Sequence, residues 1–112
     1  MTTHYTDLVE TILRDAQAAG HKRISLVEVM WRFDAQQKIP MLPEEINEAL
    51  ASIDGIVEER EKRELFFRFA HDVVGSHVVV SKEDFHWADQ EYNRRFWKAY
   101  RDLKQRDQPN PG

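Results

Sequence analysis

The 112-residue sequence has no cysteine and only four glycines, which are widely separated. The absence of cysteine excludes a disulfide framework, a thiolate metal site and a thiol nucleophile, and it fits a reducing compartment. Scattered glycines leave no glycine-rich loop to hold a nucleotide phosphate. We therefore expect no nucleotide cofactor and no thiol chemistry.

Other catalytic and metal-binding patterns are also missing. Neither H-E-x-x-H nor G-x-S-x-G occurs in the sequence. The residues His71, His77 and His86, with Asp72, form the one ligand-like group, and separations of six and nine residues match no compact zinc spacing. The sequence predicts a protein without catalytic residues, metal or cofactor, and not an enzyme.

Long apolar runs are absent too. No stretch approaches the roughly 20 apolar residues that cross a bilayer. The N-terminal segment MTTHYTDLVETILRD lacks the basic start and continuous apolar run of a signal peptide. These features predict a cytoplasmic protein that does not bind membranes.

What is present is enough apolar material for one core and an uneven charge. Hydrophobic residues make up 41% of the chain, with three Trp and six Phe, which predicts a single domain over residues 1–106. Residues 1–59 carry five basic and eleven acidic side chains, a net of −6, whereas residues 60–112 carry eleven and nine, a net of +2. An anionic partner is expected to meet the C-terminal part first.

Apolar periodicity predicts three helices in the first half of the chain. The first spans residues 4–19 and ends at Gly20. The second begins at the Ser25–Glu28 capping-box pattern and ends near residue 36, before a turn over residues 37–42 that contains Pro40. The third begins at Pro43. Its apolar residues recur at helical spacing: Ile46, Ala49, Leu50 and Ile53.

A β-hairpin and a long helix are predicted for the second half. Apolar and polar residues alternate over 64–69, as in a half-buried strand, and the tip is placed at residues 61–63. Residues 71–80 are ambiguous between a short strand and a buried connector. Ser81 then caps a helix that ends near residue 106, and residues 107–112 are predicted to be a disordered tail.

With a short strand at residues 21–24 between the first two helices, this order of elements resembles the winged helix-turn-helix domain. The matching features are the Ser25–Glu28 helix start, the QKIPML turn, the Pro43 opening of the third helix, and the IVEER and ELFFRF strands around EKR. The resemblance implies an α+β, winged-helix-like fold over residues 4–70, with three helices and a hairpin wing, followed by a connector over 71–80. The helix over 81–106 resembles the appended helix through which many small winged-helix regulators dimerise.

In DNA-binding members of that family, the third helix enters the major groove. Here its solvent face is predicted to present Glu44, Glu45, Asn47 and Glu48, with no basic residue. Carboxylates repel the DNA backbone, so only Asn47 resembles a base reader. We expect these four residues to bind an unidentified protein partner.

The C-terminal helix places its aromatic residues on more than one face. One stripe is predicted to cover the core: Phe85, Ala88, Tyr92, Phe96, Ala99 and Leu103. Trp87 and Trp97 lie outside it, with Tyr100 at its edge, so these three residues are predicted to form a homodimer interface. Two alternatives stay open, namely that residues 71–80 fold over the tryptophans, or that the helix stacks on a nucleic-acid strand.

The leading hypothesis is a non-enzymatic interaction or regulatory module that forms a homodimer. The alternative is a DNA-binding transcriptional regulator that binds duplex DNA through basic side chains of the wing and the C-terminal helix. The residues in question are Arg60, Lys62, Arg63, Arg94, Arg95, Lys98 and Arg101. If these basic side chains lie together on one face, away from the acidic third helix, the regulator is favoured. If they are paired with acidic side chains, the interaction module is favoured.

Overall fold

The chain folds as a mixed α+β protein. The computed structural model describes residues 5–37, 39–75 and 78–107, with the backbone alone over 99–107. In chain order the elements are α1 (Thr6–Ala18), β1 (Arg23–Ser25), α2 (Leu26–Gln37), α3 (Pro43–Ser52), β2 (Ile56–Glu61), β3 (Glu64–Phe69) and α4 (Lys82–Asp107). The strands form an antiparallel sheet in the order β1-β3-β2. The predicted α+β class is confirmed at this level.

Local signals place the starts of α2 and α3 correctly, whereas α3 ends at Ser52 and leaves Ile53, which was predicted to belong to it, in an extended conformation. The backbone N–H of Glu28 donates to Ser25 Oγ over 3.0 Å, so the serine caps α2. The Glu28 carboxylate does not complete the capping box by accepting from the backbone N–H of Ser25. It accepts a hydrogen bond from Arg32 Nε, one turn later in the same helix. Gly20, just after α1, has φ +87°, which glycine adopts without a steric cost.

The core lies between the helices and one face of the sheet. Phe33 of α2 and Phe67 of the central strand β3 are both fully buried. Ile24 lies opposite Phe67 in the ladder between β1 and β3, so the short first strand closes the sheet over the helices. The members that α1 and α3 contribute are Val9, Ile12, Leu13, Ala16, Ile46, Ala49 and Leu50.

The hairpin turn is tighter than predicted. Glu61 pairs with Glu64 at the end of the ladder, so only Lys62 and Arg63 form the tip. Lys62 has φ +59°, the left-handed region in which a side chain is strained.

The segment between β3 and α4 is a connector, which resolves the ambiguity over residues 71–80 for the part that the structure describes. Val78 and Val80 are buried, and neither belongs to a strand. The backbone N–H of Gly75 donates to Asp54 Oδ1 over 2.8 Å. At Gly55, a Cβ would lie 2.7 Å from the carbonyl oxygen of Ala70, so the chain crossing here requires glycine. His77 lies outside the described residues.

The long helix α4 packs against α2 and β3. Its start is capped by Ser81, whose Oγ accepts from the backbone N–H of Asp84 over 3.1 Å. Ala88 is buried, and Phe85 and Tyr92 pack partly buried against the core, as predicted. The prediction is wrong for Phe96, which is 38% exposed, and the side chains of Ala99 and Leu103 lie outside the described residues. Asp107 is helical, contrary to its assignment to the tail, and residues 108–112 lie outside the described residues. Within the described residues, no helix is long and apolar enough to cross a bilayer.

Candidate functional site

The acidic surface of α3 is smaller than predicted. Glu45 is only 2% exposed, so its assignment to the solvent face is wrong. Its carboxylate accepts from the backbone N–H of Leu42 over 2.7 Å and from that of Tyr5 over 2.5 Å. The side chain thus caps its own helix and ties it to the start of α1. Buried in this way, Glu45 is not available to a partner.

Asn47 is also engaged within the chain. Its Oδ1 accepts from the backbone N–H of Val80 over 2.8 Å, and its Nδ2 donates to the carbonyl oxygen of Val80 over 3.2 Å. Both polar groups of the amide are used, which leaves it poorly placed to read a base. Only Glu44 and Glu48 remain exposed, and Glu48 accepts from Thr6 Oγ1. Protein binding by this acidic pair stays a prediction.

The structure brings the predicted basic residues of the hairpin and α4 together. One cleft is lined by Arg60, Lys62, Arg63 and Trp87, and a neighbouring cleft by Lys62, Arg63, Arg94 and Arg95. No described residue of α3 lines either cleft. Five of the seven basic residues named for DNA binding therefore lie together and away from Glu44 and Glu48, whereas Lys98 lines neither cleft.

Charge pairing counters that arrangement. Arg60 makes two hydrogen bonds to Asp84, of 3.0 and 2.6 Å, and one to Glu58. The hydrogen bonds from Arg60 hold the pKa of the Asp84 carboxyl below its ordinary value, and Asp84 in turn raises the pKa of Arg60. Much of the positive charge at this end of the clefts is thus neutralised.

The α4 bases beside the hairpin are paired as well. Arg95 donates to both Glu64 oxygens, over 3.2 and 3.1 Å, and to Glu91 over 2.9 Å. Arg94 also donates to Glu91, and the pKa of that carboxyl is lowered chiefly by this bond. Across both clefts, five bases face five acids, the latter being Glu61, Glu64, Glu83, Asp84 and Glu91. Lys98 is exposed, and the side chain of Arg101 lies outside the described residues.

The structure separates the predicted dimer residues. Trp87 packs partly buried against the core and lines the clefts beside the hairpin. Trp97 lies on the side of α4 that faces α2 and is 54% exposed. The two tryptophans therefore do not form one surface, and the side chain of Tyr100 lies outside the described residues. Residues of the hairpin tip line these clefts with Trp87, and the alternative that residues 71–80 fold over the tryptophans stays a prediction.

A different aromatic group is exposed in its place. Trp31 of α2 is 51% exposed, and Phe96 and Trp97 of α4 are 38% and 54% exposed. Trp31 and Phe96 line one shallow groove between the two helices, and the Phe96 and Trp97 rings meet edge to face at 5.7 Å. We call these three residues the α2–α4 aromatic surface. Sequence reasoning missed Trp31, because the apolar spacing of the second helix does not decide whether this side chain faces the core or the solvent.

Comparison with protein-family models, curated proteins and solved structures gives no match. Function must therefore be argued from the surfaces themselves. Within the part of the chain that the structure describes, no group of three or more His, Asp or Glu side chains is placed to hold a metal ion.

Proposed function

We propose that this protein is a non-enzymatic, winged-helix-like interaction module that forms a homodimer through the α2–α4 aromatic surface. The observation that carries the proposal is the exposure of Trp31, Phe96 and Trp97 on two adjacent helices, at 51%, 38% and 54%. Large aromatic side chains are enriched at the centres of protein interfaces, where burying them supplies most of the binding energy. A patch of this kind marks an association surface.

The charge along α4 favours a second copy as the occupant. Residues 82–93 carry one base and four acids, a net of −3, whereas residues 94–107 carry six bases and two acids, a net of +4. When two copies of α4 lie antiparallel, the acidic half of each faces the basic half of the other. The helix dipoles oppose each other as well. With a twofold axis between Phe96 and Trp97, as an isologous dimer requires, residues 86–93 of one copy, with a net charge of −2, lie level with residues 100–107 of the other, with a net charge of +1.

The winged-helix assignment is supported by the order of the elements. The order α1, β1, α2, α3, β2, β3 agrees with the resemblance found in the sequence, and β1 pairs with β3 of the hairpin. The third helix has exposed Glu44 and Glu48, while Asn47 is bound to Val80. A helix with this surface suits a protein partner better than a DNA groove.

Sedimentation equilibrium tests the homodimer. The parent is expected to sediment as a dimer at micromolar concentration, and a Trp31→Ser/Trp97→Ser variant as a monomer with an unchanged circular dichroism spectrum. Val74→Ser is the matched control, because Val74 is 88% exposed on the loop before Gly75 and lies outside the aromatic surface. The control is expected to remain dimeric. A parent that stays monomeric at hundreds of micromolar, or a dimeric double variant, would overturn the proposal.

A DNA-binding regulator is the second candidate, because Lys62, Arg63, Arg94 and Arg95 line one cleft. Binding to mixed duplex DNA at low and moderate salt tests it, with Arg94→Ala/Arg95→Ala/Lys98→Ala beside the parent. Our account predicts no salt-sensitive binding, since Arg94 and Arg95 are paired with carboxylates. Salt-sensitive binding that the triple variant loses would replace the interaction module with the regulator.

A further inference from the structure

A cavity of about 350 Å³ lies between α2, the turn before α3 and α4. Its volume falls in the range of small-ligand sites, roughly 300–1,000 Å³. Met30 and Met41, each 5% exposed, form apolar parts of the lining. The cavity is separate from the two basic clefts beside the hairpin, because none of its described lining residues belongs to the hairpin.

Three aromatic rings of α4 line this cavity. Tyr92 and Phe96 are stacked, with ring centroids 5.8 Å apart, and Phe96 meets Trp97 edge to face. The faces of such rings carry negative electrostatic potential and attract cations, most strongly when the cation is partly shielded from water. The wall therefore suits a group that is both positively charged and partly apolar.

Two carboxylates complete the cavity, and among the residues that the structure describes no basic side chain forms an ion pair with either. Asp34 and Asp89 are half-buried, and no Lys or Arg is among the described lining residues. Asp34 Oδ2 accepts from the Tyr92 hydroxyl over 2.5 Å. Within the described residues neither aspartate forms an ion pair, whereas Asp84 and Glu91 are each paired with arginine. Partly buried carboxylates without a cation are costly, so these two favour a positive ligand.

Both carboxylates act on the same point in the cavity. The pKa of Tyr92 is raised, first by burial, then by its hydrogen bond to Asp34, and also by the negative charges of Asp34 and Asp89. The two aspartates come from helices far apart in the sequence, and both line this cavity with Tyr92. The negative potential is therefore a property of the fold.

We propose that this cavity binds an organic cation, an alkylammonium or alkylguanidinium group, with its charged head at Asp34 and Asp89 and its alkyl part against Phe96 and Trp97. A bare divalent ion is a poorer match, because calcium and magnesium need about six oxygen ligands, and beyond the two aspartates only Tyr92 and Asn93 among the described lining residues carry a side-chain oxygen. The cation comes either from a free small molecule or from a Lys or Arg side chain of a bound chain.

Isothermal titration calorimetry with butylguanidinium chloride tests the site, with neutral butanol as the shape control. The titrations use a Trp31→Ser background, since Trp31 belongs to the proposed dimer surface and does not line the cavity. We expect saturable one-to-one binding of the cation and none of butanol. Asp89→Asn is expected to weaken binding about tenfold or more, because a charge-assisted contact is lost. The control Asp72→Asn, on an exposed residue away from the cavity, is expected to bind as the parent does.

A second titration distinguishes the two sources of the cation. Acetyl-Gly-Arg-Gly-amide presents the same guanidinium on a peptide backbone. Tighter binding of the peptide than of butylguanidinium supports the site and assigns it to a side chain of a bound chain, and the reverse order supports the site and assigns it to a free ligand. The absence of saturable binding by either probe, equal binding of butanol, or an unchanged affinity in Asp89→Asn would overturn the proposal.

The site is shared in part with the proposed dimer surface through Phe96 and Trp97, but it rests on Asp34 and Asp89. Sedimentation of the parent protein separates the two proposals. A monomeric parent whose Trp31→Ser form binds the cation overturns the dimer alone. A dimeric parent whose Trp31→Ser form binds neither probe overturns the cation site alone.

Discussion

At the scale of single residues, a few polar side chains tie distant segments of the chain together. Asn47 of α3 holds Val80 of the connector with two hydrogen bonds, and it thereby fixes where α4 begins. Glu45, two positions earlier, holds the start of α1. Both residues occupy a helix face whose composition alone looks like a solvated surface, so their role depends on neighbours more than 30 residues away.

Replacing Asn47 tests whether its two hydrogen bonds to Val80 stabilise the connector. Asn47→Ala is expected to lower the free energy of unfolding by about 1–3 kcal/mol, because it leaves both polar groups of the Val80 backbone without their partners. Urea denaturation followed by circular dichroism measures the change. Glu44→Ala, on the exposed side of the same helix, is the control and is expected to have little effect. Equal stability of Asn47→Ala and the parent would contradict a stabilising role for the Asn47–Val80 hydrogen bonds.

The turn residue Lys62 provides a second test at this scale. Because its φ is +59°, Lys62→Gly is expected to raise the free energy of unfolding by about 1 kcal/mol, by removing the steric cost of a side chain in that conformation. Arg63→Gly is the matched control, since Arg63 is not in the left-handed region and glycine there brings only added chain entropy. Thermal denaturation compares the two. A stabilised Arg63→Gly with an unchanged Lys62→Gly would show that the turn is built differently.

At the scale of elements, α4 is held by ion pairs on one side and by aromatic packing on the other. Arg60–Asp84 and Arg95–Glu64 join it to the hairpin. On the other side, the Tyr92 hydroxyl joins it to Asp34 of α2. The hairpin therefore positions the N-terminal half of α4. Because Phe96 and Trp97 lie on the same helix, their positions depend on that placement.

The ion pairs make this docking dependent on pH. Arg60 lowers the pKa of Asp84 below its ordinary value of 3.8, so the folded state binds the proton less readily than the unfolded chain. The stabilisation is therefore fully present above the ordinary pKa and is lost as the pH falls through the lowered one. Denaturation midpoints measured from pH 6 down to pH 2 are expected to fall less steeply in Asp84→Asn than in the parent. Asp72→Asn, an exposed control, is expected to follow the parent, and identical profiles for all three would refute the pairing.

At the scale of the whole molecule, the secondary structure follows from local sequence, but the functional surfaces do not. Apolar spacing and caps such as Ser25 and Ser81 predict the helices because those signals act within a few residues. The exposure of Trp31 and Trp97 depends on how α2 and α4 pack, and the cavity takes Asp34 from α2 and Asp89 from α4. No periodicity within either helix encodes that arrangement.

The molecule is more elongated than a compact globule of the same length. The principal dimensions are 61 × 36 × 28 Å, and a helix of the 26 residues of α4 is about 39 Å long. A 112-residue globule is expected to have a radius of gyration of roughly 13 Å, compared with the 15.9 Å found here. In the proposed homodimer, the second copy lies along α4.

The direction of pairing of the two α4 helices tests the central claim most directly. Since the chain has no cysteine, the single variants Glu83→Cys and Gln90→Cys can each carry one spin label per copy. Double electron–electron resonance then measures the distance between the labels of the two copies. An antiparallel dimer centred between Phe96 and Trp97 predicts axial separations of about 40 Å at residue 83 and about 20 Å at residue 90. Equal distances at the two sites, as in a parallel pair, or no distance between copies at all, would contradict the account.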